Sequence, residues 1–226
     1  MALKDSLAGL FEAERKARSL HAELVGSSRN ELVSALRDAT KEALAVDDED
    51  EAAVRLSRLA LVLGDLDGDA VVDLLIDILA SDSAEGRVTA GEALESLAFD
   101  RFKEVALGIE RALGRLKRGS PALTELPFLL AEVGEPGCTK LLGRFLKHED
   151  PEAVAAAIEA MAELGDPAAI PLLAPLEKDA RQVQIDDEDG GERVAIGDLA
   201  HEAREILTEM HEKHDKPEPP RKGSKK

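Results

Sequence analysis

Tryptophan and tyrosine are absent from this 226-residue chain, and phenylalanine occurs only five times. Few residues that favour β-structure are therefore on hand, and no stacking platform for nucleobases can be built from indole or phenol rings. Cysteine occurs once, at Cys138, which excludes an intrachain disulfide and fits a reducing compartment; a cytoplasmic protein is expected. No stretch approaches the ~20 uninterrupted apolar residues of a membrane span. The start, Met1-Ala2-Leu3-Lys4-Asp5, shows no apolar run behind a basic region, so neither a membrane segment nor a signal peptide is expected. Positive charge is scarce as well. Against 47 Asp and Glu stand 29 Lys and Arg, for a net charge of -18. Most of such a surface repels a phosphate backbone, so no nucleic-acid partner is expected.

What is abundant is the material of helices. Hydrophobic residues make up 44% of the chain, mostly Ala, Leu, Val and Ile, and Ala and Leu cost little to place in a helix. A turn also recurs. Leu63-Gly64-Asp65, Ala98-Phe99-Asp100, Val133-Gly134-Glu135 and Leu164-Gly165-Asp166 each close one apolar helical stretch and open another, with spacings of 35, 35 and 31 residues. A looser copy at Gly26 lies 38 residues before the first. A period of this size marks an array of helical repeats, each burying its apolar stripe against its neighbours.

The stripes read as helix pairs. Asp150-Pro151 supplies an N-cap followed by Pro at the first helical position, and Val154, Ile158 and Met161 then fall on one face before Gly165. Asp166-Pro167 repeats the device, with Ile170, Leu173 and Leu176 as the next buried face. Upstream, Leu56, Leu59, Ala60 and Leu63 precede Gly64, and Val71, Leu74, Leu75, Ile78 and Leu79 follow it. Residues 1–46 read as a more charged, solvent-facing capping pair. Residues 194–214 read as a closing amphipathic helix on Ile196, Leu199, Ala200, Ala203, Leu207 and Met210. Residues 180–193 read as a solvated acidic loop, and the Pro-rich basic tail, residues 215–226, is expected to be disordered. Residues 1–214 are thus expected to form one repeat domain.

Leu164-Gly165-Asp166-Pro167-Ala168-Ala169-Ile170-Pro171-Leu172-Leu173 resembles the consensus of short bacterial HEAT repeats, the type also found in phycobilisome lyases. The resemblance covers roughly residues 47–180, weakest where Phe99 stands in place of a turn glycine. It implies an all-α, right-handed superhelix of about five helix pairs plus the closing helix, whose second helices line a concave face. Tetratricopeptide arrays have a similar period but lean on Trp and Tyr positions that this chain cannot fill.

Charge lies in blocks. Residues 46–100 carry a net -12 and residues 148–215 a net -14, while residues 101–120 carry +4. In that basic island Arg111, Arg115 and Arg118 fall at i, i+4 and i+7, and Asp69, Asp73 and Asp77 repeat every four residues one repeat earlier. By the family geometry both rows look into the concave groove. Two readings stand side by side. Either the arginines contact an acidic or phosphorylated segment of a partner protein or peptide, with the aspartates holding a basic flank, or they neutralise the neighbouring aspartates.

No catalytic constellation stands out. Asp65-Leu66-Asp67-Gly68-Asp69 fails the calcium-loop pattern, because its glycine is one position early and Ile76 stands where the bidentate acid belongs. Leu199-Ala200-His201-Glu202-Ala203 is similar to one His-Glu dyad of deoxyhypusine hydroxylase, a HEAT-repeat di-iron enzyme. His148-Glu149 and His211-Glu212 do not complete the symmetric set of four. Cys138 lacks a nearby base and reads as a small buried filler. The expectation is a non-enzymatic interaction or scaffold module without metal or cofactor. The alternative is an enzyme on the same fold, phycobilin lyase-like or di-iron hydroxylase-like.

Overall fold

The computed structural model describes residues 2–185 and 191–214. The fold is all-α, built of helix pairs with one short β-hairpin, and it divides into two compact units, residues 1–122 and 123–226. Among the described residues no helix is long and apolar enough to cross a membrane.

The first unit runs α1 (Ala2–Val25), α2 (Arg29–Ala43), α3 (Glu49–Gly64), α4 (Asp69–Leu79) and α5 (Ala84–Leu113). Asp48 and Ser83 cap α3 and α5 by accepting hydrogen bonds from the amides of Glu51 and Gly86. Two rows of helices result. α1, α3 and the first half of α5 lie side by side, and α2, α4 and the second half of α5 form the other row. The buried stripe of α4 is wide: Val71, Val72, Leu74, Leu75, Ile76, Ile78 and Leu79 are all in the core.

The break expected at Phe99-Asp100 falls at Arg101, where two helices meet across a kink. α5 runs for 30 residues, with a single non-helical residue, Arg101 (φ -143°, ψ 48°). A glycine ends a helix by entering the left-handed region, which Phe99 does not do, so the break narrows to one non-helical residue between two helices. α5 therefore supplies both helices of the third pair.

The second unit contains α6 (Ala122–Val133), α7 (Cys138–Phe145), α8 (Pro151–Leu164), α9 (Ile170–Leu173) and α10 (Ile196–His214). Asp150 caps α8, Pro151 opens it, and Gly165 closes it at φ 69°, as the cap-Pro-Gly pattern predicts. α8 is buried nearly all round rather than along one stripe. Ala153, Ala155, Ala156, Ala157 and Ala160 let neighbours close in on the sides that Val154, Ile158 and Met161 do not fill.

Two expectations about this unit are corrected. The helix expected after Asp166 is broken into a short 3-10 turn, the four-residue α9 and a second 3-10 turn over residues 174–178. Pro167, Pro171 and Pro175 recur every four residues; Pro167 suits the first helical position, but Pro171 and Pro175 each remove an amide donor that a continuous helix would use. Of its expected buried face only Leu173 is fully buried. The expected loop over residues 180–193 instead contains β1 (Gln182–Ile185) and the start of β2 (Glu192–Ala195), two antiparallel strands paired Val183 with Val194. Val183 is buried, and β1 packs on α8 while β2 leads into α10. The tip of the acidic segment, 186–190, and the basic tail, 215–226, lie outside the described residues. α10 packs on the unit through Ile196, Ala200, Ala203 and Leu207, while Leu199 is half-buried and Met210, expected on the same face, is 46% exposed.

Candidate functional site

The two charge rows meet within the first unit. α4 presents Asp69, Asp73 and Asp77 on one face, and the last turn of α5 presents Arg111. Arg111 donates from Nε to Asp73 Oδ1 at 3.1 Å, from Nη2 to the Asp69 carbonyl at 3.2 Å, and lies 3.5 Å from the Asp69 carboxylate. Arg115 donates to the Asp73 carbonyl at 3.1 Å, approaches the Asp73 carboxylate at 4.0 Å and pairs with Asp77. The result is a ladder, Asp69–Arg111–Asp73–Arg115–Asp77, in which each arginine serves two aspartates and Asp73 is shared.

The helix under the arginines is shorter than the spacing suggests. α5 ends at Leu113, so Arg115 and Arg118 stand in the turns that follow, and the three arginines do not share one helical face. Arg118 is exposed and has no ionic partner among the described residues, as is also true of Lys117. The ladder is half exposed. The side chains of Arg111, Arg115, Asp73 and Asp77 keep 35–38% of their area, while Asp69 at the far end keeps 71%. The strip is polarised, basic beyond Arg115 and acidic at Asp69.

The loop from α3 to α4 is held by the same kind of chemistry. Asp65 accepts from His21 at 2.6 Å, Asp67 pairs with both Arg29 and Arg101, and Glu104 accepts from the amide of Gly68. The hydrogen bond from Arg101 holds the Asp67 carboxyl below its usual range, against partial desolvation. The acids of this calcium-like segment are thus each engaged by His21 or an arginine.

The remaining candidates serve structure. His148 accepts from the amide of Asp150 at 3.1 Å, and Arg181 donates to the carbonyls of His148 and Glu149. His201 lies between Glu177 and Glu205 at 3.6 and 3.5 Å, largely exposed. Among the described residues no three His, Cys, Asp or Glu side chains gather as a metal site would require. Cys138 is a free buried thiol whose pKa burial raises, the opposite of an activated nucleophile.

Two contacts that the sequence reading missed are glycines. A Cβ on Gly108 would meet Val72 Cγ1 at 2.3 Å, and one on Gly197 would meet the Glu177 carbonyl at 2.7 Å. Both sit inside helix-like patterns, where only the close approach of another chain segment gives a glycine meaning.

A family model described as HEAT repeats matches residues 92–185. No curated protein matches the chain. Among solved structures it is similar to an engineered protein of the Northeast Structural Genomics Consortium, at 21% identity over 86% of this chain and 89% of that one, with a TM-score of 0.35. It is also similar to computationally designed armadillo repeat proteins for modular peptide recognition, at 16% identity over 86% of this chain and 93% of that one, with a TM-score of 0.35.

Proposed function

Starting from the premise that this chain is a HEAT-repeat protein, we propose that it acts as a non-enzymatic interaction module, binding a partner protein or peptide along the face where α4 meets the end of α5. The observation that carries the proposal is the half-exposed ladder Asp69–Arg111–Asp73–Arg115–Asp77, continued by the unpaired Arg118. Pairing fixes the guanidinium planes of Arg111 and Arg115, so an incoming carboxylate or phosphate meets a pre-set fork rather than a mobile side chain. Arg118 offers all its donors. An acidic or phosphorylated segment docks at the Arg118 end, and a basic flank falls on Asp69. Charge polarity along the strip then fixes the direction in which the segment lies and speeds encounter. The single buried thiol, Cys138, suits a reducing, cytoplasmic setting.

Arg118 makes the test clean, because it has no internal ionic partner to lose. Full-length protein is applied to arrayed acidic, phosphorylated and basic peptides. The expected result is preferential capture of acidic or phosphorylated peptides, weakened by added salt and lost in Arg118→Glu with unchanged thermal melting. The triple replacement of Arg111, Arg115 and Arg118 by Glu abolishes capture too, while also lowering the melting temperature through the broken ladder. Capture that survives Arg118→Glu, or that vanishes only when the fold does, shows that these arginines merely neutralise their own aspartates.

A further inference from the structure

The N-terminal half of α1 carries an apolar stripe that nothing in the described structure covers. Leu3, Leu7, Leu10, Glu14, Ala17 and His21 alternate at four and three residues, which places all six on one face of the helix. The second half of that face is in use. α1 packs there on α2 and α3, Arg58 donates to Glu14 at 3.2 Å, and His21 meets Asp65. The first half runs past its neighbours. Leu3, Leu7 and Leu10 stay 82%, 52% and 62% exposed, Phe11 beside them 57%, and a Cβ placed on Gly9 would meet nothing within 4 Å. Contiguous large apolar side chains left in solvent mark an interaction surface.

The edges of the stripe say what fits it. Lys4, Phe11 and Arg18 recur every seven residues along one edge, with Arg15 next to them, and small residues, Ser6 and Ala13, line the other. Asp5 and Glu12 fall on the opposite side of the helix. A basic border on a chain of net charge -18 is a local selection, not an average property. A second copy of this helix fits poorly. In an antiparallel pair the Lys4–Arg18 edges face each other, cation against cation.

We infer that the overhanging half of α1 is a second docking surface, independent of the arginine ladder, and that its occupant is an amphipathic helix of a partner protein with an apolar seam and acidic edges. The face already packs against helices of its own chain in its second half, so the partner helix continues a packing mode that α1 uses. Lys4 and Arg15 pair with the acidic edge, joined by Arg18, which lies 3.7 Å from Glu14 yet keeps 71% of its side chain exposed.

The test uses full-length protein and two labelled synthetic helical peptides, both with leucine at the a and d positions of three heptads. One carries Glu and the other Lys at e and g. Fluorescence anisotropy is expected to show saturable binding of the Glu peptide, about tenfold or more tighter than the Lys peptide, and weakening with salt. Leu7→Glu with Leu10→Glu should abolish binding, and Lys4→Glu with Arg18→Glu should reverse the preference. Circular dichroism should stay unchanged, because all four side chains are exposed. No saturable binding of the Glu peptide, equal binding of both peptides, or binding that survives Leu7→Glu with Leu10→Glu overturns the inference. So does a wild-type dimer in sedimentation that this double variant dissolves, which assigns the stripe to a second copy. Preferential adsorption to vesicles of phosphatidylserine and phosphatidylcholine, lost in the same variant, assigns it to lipid and overturns it equally.

Discussion

Gly108 of α5 lies against Val72 of α4 so closely that a Cβ at position 108 would stand 2.3 Å from the valine methyl. Arg111, one turn further on, donates to the Asp73 carboxylate across the same helix pair. Gly108→Ala must either push α4 and α5 apart or force Val72 off its rotamer. Overpacking of this kind costs about 1–3 kcal/mol. Equilibrium unfolding in urea should register that loss. An unchanged midpoint would show that the spacing of the two helices is not set at this contact.

Ile158 is 1% exposed in the middle of α8, the helix with the most complete burial in the second unit. Ile158→Ala should cost about 2–4 kcal/mol, the transfer of a branched side chain plus the cavity it leaves. Denaturant unfolding followed by circular dichroism measures it. A loss below about 0.5 kcal/mol would be the signature of a surface position, which the buried neighbours Val154 and Met161 do not allow.

Asp179 and Arg181 make stability depend on pH in a defined direction. The Arg181 guanidinium donates from Nε to Oδ1 and Oδ2 of Asp179 at 3.1 and 3.0 Å and from Nη2 to Oδ2 at 2.6 Å, and also to the carbonyls of His148 and Glu149. That hydrogen bonding holds the Asp179 carboxyl below its usual range, against the upward push of partial burial. The folded pKa is therefore lower than the unfolded one. The stability this pair contributes is fully present above the unfolded value, about 3.9, and is lost as pH falls through the folded value. Asp179→Asn should reduce stability at neutral pH and flatten its decline below about pH 4. A variant whose acid unfolding curve matches the wild type in slope would remove Asp179 from the acid response.

How far the sequence carried depended on what each pattern encoded. Gly165 and Asp150-Pro151 stated the ends of α8 outright, because a left-handed glycine and an N-cap followed by proline act locally. Phe99 marks a break by its place in the period alone. Without a glycine the break narrows to one non-helical residue, Arg101, between two helices. Arg111, Arg115 and Arg118 were assigned one face on a helix that ends at Leu113, so their spacing stopped meaning what a helix gives it. That Arg111 and Arg115 meet the row Asp69, Asp73 and Asp77 was nonetheless legible as one of two readings, since the aspartates repeat at the same interval. Gly108 and Gly197 carried no signal, because their reason is a neighbour distant in sequence.

The hairpin offers the sharpest contrast between a loop and an ordered element. Gln182-Val183-Gln184-Ile185 alternates polar with apolar, a period of two that the surrounding acids masked in the sequence. In the structure Val183 is 2% exposed and pairs with Val194, while Gln184 points to solvent one residue away. A solvated loop would tolerate either substitution. The hairpin predicts a difference: Val183→Ala should cost about 1–3 kcal/mol through lost burial against α8, and Gln184→Ala should stay within about 0.5 kcal/mol of wild type. Thermal and urea unfolding of the two variants side by side measure it. Equal, small effects would return this segment to the loop that its charge suggests. A loss confined to Val183 would establish that β1 and β2 form a packed two-stranded stem leading directly into α10.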